Sequence, residues 1–113
     1  LDREWKLVAL HEADEIIKPK KGRTHSMTLS RDKKVAGRND CNGYSGSYSM
    51  VKGNWLKFGK GFLSTKMLCM PGSLDFKFFE SLHASKGFEV DGNKLKIYYG
   101  DNAEDWMEFE DKT

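Results

Sequence analysis

Thiols, imidazoles and clustered carboxylates are the groups through which a small domain performs chemistry, and this chain carries only two cysteines and three histidines. Cys41 sits in the step Asn39-Asp40-Cys41-Asn42-Gly43, which reads as a nucleophile presented on a tight turn. A cysteine nucleophile needs a base within hydrogen-bond reach to hold it as the thiolate. His11, His25 and His83 are the only imidazoles, and none has a sequence context that marks it as that base. A metal held by Cys41, Cys69 and a histidine would need two ligands a few residues apart, and no pair has that spacing. Asp101, Glu104, Asp105, Glu108, Glu110 and Asp111 crowd the C-terminal end without the ordered ligand pattern of a calcium loop. A solvated acidic edge accounts for them. The residues therefore point to no catalytic site, no metal and no cofactor, and Asn42-Gly43 reads better as turn chemistry.

The cysteines themselves leave two states open. They either form a disulfide or serve as two small buried hydrophobes in a reduced compartment. A bridge across so long a loop would contribute roughly 3–4 kcal/mol in the chain-entropy account.

At 113 residues the chain fits a single domain, 1–113, long enough to bury a modest core. A net charge of +2 with 32% charged residues describes an ordinary surface and does not call for nucleic acid. The basic segment Lys18-Pro19-Lys20-Lys21-Gly22-Arg23, with Arg31, Lys33, Lys34 and Arg38, could meet an anionic lipid or partner, although charge runs usually only solvate a face. No apolar run approaches a membrane span, and no signal-peptide core is present. The opening Leu1-Asp2-Arg3-Glu4-Trp5 is what a domain trimmed from a longer precursor would show.

The elements that must position these residues are mostly strands. Trp5, Leu7 and Ala9 alternate in a largely buried first strand, followed by a basic connection from Ile16 to Gly22. Met27 and Leu29 mark a second strand, and Val35 and Gly37 a short third. Tyr44, Gly46, Tyr48 and Met50 share one face of the next. Lys52-Gly53-Asn54 turns the chain into Trp55-Leu56-Lys57-Phe58, and Leu63, Thr65 and Met67 alternate beyond it. Asp91-Gly92-Asn93 joins two more strands, and Trp106 to Phe109 forms the last. Between them, Leu74, Phe78 and Leu82 recur at helical spacing, with Phe79 beside them. Ser73 is the expected N-cap, and Gly87 the expected left-handed stop. The expected fold is α+β: about eight antiparallel strands in a curved, half-barrel-like sheet packed on one helix. Phe78, Phe79 and Leu82 either line an apolar groove for a lipid tail or peptide, or fill the interior as ordinary core, which is the preferred reading.

Two clusters also resemble a known family. Gly37, Cys41, Asn42, Tyr44, Gly46 and Tyr48 match the first motif of the META domain, the HslJ-like group of small bacterial envelope proteins also found in trypanosomatids. Ser64, Thr65, Lys66, Met67 and Cys69 match the second, and Asp75, Phe78, Phe79 and Leu82 look like the helix that follows. Asp40 and Asp75 depart from the usual Gly and Glu. The resemblance implies an exported domain, often lipid-anchored, of the periplasm or outer membrane or secreted, tied to envelope stress and without established enzymatic activity. It implies an unknown protein or envelope partner, a monomer, and an oxidising compartment that favours the Cys41–Cys69 bridge. The alternatives are a carrier of a small apolar ligand between helix and sheet, and a cysteine- or metal-dependent protein using Cys41 and Cys69. If the bridge exists, Cys41→Ser will lower the melting temperature under oxidising conditions and change little in reductant. Equal melting in both conditions would show unpaired thiols.

Overall fold

Positive-φ residues set three of the hairpins from which the sheet is built. Residues 3–19, 25–38, 43–59, 63–64, 75–100 and 104–111 are described in the computed structural model of the chain. Among them run β1 (Glu4–Glu12), β2 (Glu15–Ile17), β3 (Ser26–Leu29), β4 (Lys34–Arg38), β5 (Gly43–Val51), β6 (Trp55–Phe58) and β7 (Leu63–Ser64). The helix α1 (Asp75–His83) follows, then β8 (Ser85–Asp91), β9 (Lys94–Tyr99) and β10 (Asp105–Asp111). Lys52 and Gly53 at φ 54° and 80° make the β5–β6 turn, and Gly92 at φ 62° makes the β8–β9 turn, both as expected.

The main path of the sheet has eight antiparallel strands in the order β6-β5-β4-β3-β1-β10-β9-β8, with β2 added to β1 and β7 to β5. It curls beyond a half-barrel. The two end strands meet at a seam, where the Phe88 amide donates to the Asn54 carbonyl at 2.8 Å. The Trp55 indole N–H donates to the Ser85 carbonyl at 2.6 Å in the same seam. No β6–β8 ladder is formed among the described residues, so the barrel is nearly closed rather than closed.

The inward face follows strand alternation. Trp5, Leu7, Met27, Leu29, Val35, Leu56, Leu95, Ile97, Met107 and Phe109 are almost completely buried. In β1 one extra residue, Val8, separates the pairs Leu7↔Phe109 and Ala9↔Glu108. That bulge resets the alternation, so Leu7 and Leu10 both reach the core. Phe78 and Leu82 of α1 enter the same core with no exposed surface. Lys77 of α1 pairs with Glu12 at the end of β1, tying the helix to the rim of the sheet.

Two local expectations are corrected. Ile16 and Ile17 belong to β2 rather than to a connection, because Ala13 and Asp14 adopt φ 50° and 66° and fold a hairpin without a glycine. Gly87 does not stop the helix, which ends at His83. It lies in β8 at an irregularity of the ladder between Ser85 and Gly87. A Cβ there would approach the Asn54 carbonyl oxygen at 3.3 Å, so the glycine serves the seam. Within β5, Tyr44 and Tyr48 face inward, whereas Met50 at the strand's end is 38% exposed.

Candidate functional site

The first motif acts as a lock between strands. Tyr44 on β5 reaches under β4 and donates its hydroxyl to the Ser26 carbonyl on β3 at 2.7 Å. Four residues on, Tyr48 makes the same move to the Ser30 carbonyl, also at 2.7 Å. Burial pushes the Tyr44 hydroxyl far above the usual phenol range, so it remains a protonated donor. Gly37 of β4 lies directly over this bond: a Cβ there would stand 2.0 Å from the Ser26 oxygen and 2.8 Å from the Tyr44 hydroxyl. The Arg38 amide completes the junction by donating to Ser26 Oγ at 3.1 Å. Gly46 pairs with Val35 in the β4–β5 ladder. Tyr44→Phe should cost about 1–3 kcal/mol, because it strips a buried carbonyl of its donor. Tyr48→Phe, at a part-buried acceptor, should cost less, and urea melts of the two variants measure the difference.

The remaining motif positions, Cys41, Asn42, Thr65, Lys66, Met67 and Cys69, lie outside the described residues, as do Asp40 and the expected cap Ser73. Phe78 fills the interior. Its ring centroid lies 5.6 Å from His25, 5.8 Å from Tyr44 and 6.2 Å from Phe109. Leu82 is equally buried. These two are core rather than groove walls, and the side chain of Phe79 lies outside the described set. The histidines scatter: His11 stacks on Trp106 at 4.4 Å, His25 is buried beside Phe78, and His83 stands at the helix end. Among the described residues no three histidine, cysteine or acidic side chains stand together as a metal site.

A cleft of about 460 Å³ opens at the seam instead. Tyr48, Trp55 and Phe58 supply its apolar surface, Lys57 and Lys86 its cationic rim, and His83 lines it as well. The Lys57 and Lys86 ammoniums lie 5.9 and 5.8 Å from the centroid of the same Trp55 ring. Among the described residues neither lysine has a carboxylate partner and no Asp or Glu lines the cleft. His83 Nε2 lies 3.1 Å from the Gly59 carbonyl oxygen and joins the helix end to the end of β6. Ser85 also lines the cleft. It is only 4% exposed, and its Oγ has no hydrogen-bond partner among the described residues.

Sequence reading missed this constellation. The one local signal is the Trp55-x-Lys57 spacing, which places an aromatic ring and a cation on the same face of a strand. Lys86 and Ser85 join them only because the sheet curls until β8 reaches β6.

The sequence profile of the META domain matches residues 1–112. Among solved structures, a protein from Burkholderia xenovorans determined by NMR is 28% identical, with a TM-score of 0.81 over 99% of this chain and 83% of that one. A DUF4847 family protein from Bacteroides vulgatus is similar in fold alone: 14% identity, TM-score 0.67, covering 96% of this chain and 92% of that one. A further NMR structure shares the fold at 18% identity and TM-score 0.67, covering 97% and 90% of the two chains. No curated protein matches the chain in sequence.

Proposed function

The chain belongs to the META domain family, and from that premise we propose that it is a non-enzymatic binding or assembly module of the cell envelope, exported or lipid-anchored. The observation that carries this reading is the seam cleft. Among the described residues of the first motif, Tyr44 and Tyr48 commit their hydroxyls to backbone carbonyls within the barrel. The cleft, by contrast, presents an aromatic ring and two lysines on a concave surface that Ser85 also lines. Such a mixture of apolar wall and a few polar groups is the usual make-up of a ligand site.

The test uses the full-length protein in its native cells. Fractionation should place it in the envelope or outside the cell, and a cytosolic location would reject the envelope reading. A photo-crosslinking residue at Lys57 should capture a distinct adduct in intact cells. The same residue at Lys94, in the β8–β9 hairpin at the other end of β8, should not. Equal labelling at both positions, or none at either, would reject the cleft as the working face.

A further inference from the structure

The charge and burial pattern of the cleft narrows what it binds. We propose that it is a site for a small amphipathic anion, a carboxylate or phosphate monoester carrying a short apolar chain or ring. The anionic head would lie between Lys57 and Lys86 and accept from Ser85 Oγ, and the apolar part would cover Trp55, Tyr48 and Phe58. This rests on the binding-module reading above and names its ligand class.

Three observations converge. Two ammoniums lie within about 6 Å of the centroid of one indole ring without a carboxylate partner among the described residues, so this rim carries positive charge that an anion would offset. Ser85, a residue only 4% exposed, lines the same cleft, and its buried hydroxyl has no partner among the described residues. A buried donor of this kind costs free energy until an acceptor arrives, and an anionic acceptor makes the stronger bond. The third is size: about 460 Å³ falls within the range of small-molecule sites, and Tyr48, Trp55 and Phe58 are among the residues that line it. The indole N–H is already committed to the Ser85 carbonyl, which fixes the ring as a wall and holds Ser85 in place.

The titration uses octanoate and octyl phosphate, both below their micelle-forming concentrations, with octanol and inorganic phosphate as the neutral and headless probes. Backbone amide NMR shifts should move saturably at 55–59 and 85–86 with either anion, and the stronger of the two assigns the head as carboxylate or phosphate. Octanol and inorganic phosphate should each bind at least about tenfold more weakly, since each lacks one half of the recognition. The double variant Lys57→Glu, Lys86→Glu should lose at least about tenfold with a native-like spectrum, and Ser85→Ala a few-fold. Lys94→Glu, which changes charge away from the cleft, should bind like the parent.

Octanol binding as well as the anions, a loss in Lys94→Glu equal to that of the double variant, or shifts centred elsewhere would overturn the proposal. Absence of binding by both anions would do so as well. If the anions fail while the cross-link at Lys57 persists, the ligand class falls and the binding module stands.

Discussion

Gly37→Ala should be the most damaging small substitution in the described part of this domain. The added methyl would sit 2.0 Å from the carbonyl oxygen of Ser26 and 2.8 Å from its carbon, both of them backbone atoms in a neighbouring strand. Neither can swing aside as a flexible side chain would. The Ser26 carbonyl is held by the Tyr44 hydroxyl from below, and the same residue's Oγ is held by the Arg38 amide. Relief therefore means prising β3 from β4 and breaking the tyrosine bond, not rotating one torsion. Overpacking of this kind costs about 3 kcal/mol or more when the obstacle is rigid. In a domain whose whole stability is of order 5–15 kcal/mol, that should lower the melting temperature by about 10 °C or more.

The comparison that isolates the cause is Gly43→Ala. Gly43 lies on the adjacent strand, where a Cβ would meet, among the described residues, only the Gly37 oxygen at 3.8 Å, an ordinary contact. It should melt within a few degrees of the parent, and Gly37→Ala combined with Tyr44→Phe should not recover, because the Ser26 oxygen remains in the way. If Gly37→Ala melts like Gly43→Ala, the lock between β3, β4 and β5 is not what holds this corner together.

How far the sequence discloses this architecture depends on whether the governing interaction is local. The β5–β6 and β8–β9 hairpins were legible because Gly53 and Gly92 supply the positive φ that their turns demand. The β1–β2 hairpin was not, since Ala13 and Asp14 adopt that region without glycine and are held by contacts elsewhere, among them the Ala13 amide donating to Asp105 Oδ1 at 3.2 Å. Leu74, Phe78 and Leu82 announced the helix by their spacing, and Phe78 and Leu82 indeed turn into the core. Gly87 misled because a glycine soon after a helical run looks like a cap, whereas its reason is the approach of the Asn54 carbonyl across the seam. The motif Gly37, Tyr44 and Tyr48 disclosed the family, but not that its glycine clears space for a tyrosine hydroxyl from another strand. The cleft was the least legible feature. Trp55 and Lys57 come from β6 and Lys86 from β8, strands at opposite ends of the sheet order that become neighbours only through its curvature.

Phe78→Ala decides whether the helix is part of the core or a wall of a groove. A ring lining an open groove would lose little stability on truncation and could gain by shedding exposed apolar surface. Phe78 has no exposed surface, and its ring packs edge-on against Tyr44 and Phe109 and obliquely against His25. Truncation would remove those contacts and leave a cavity that the curled sheet cannot close, because strands on both sides of it are tied by ladders and by the Tyr44 bond. Such substitutions cost about 3–5 kcal/mol. Edge-on aromatic pairs add about 0.5–1.5 kcal/mol each beyond their buried area, which places Phe78 toward the upper part of that range. Phe78→Leu, which keeps most of the volume but not the ring geometry, should cost clearly less. Ile16→Ala, at a side chain 60% exposed on β2, should change stability by no more than about 0.5 kcal/mol. Chemical denaturation of the three variants would show this order with an unchanged denaturant slope. A Phe78→Ala protein as stable as Ile16→Ala would return the helix to the groove reading and take the ring out of the core.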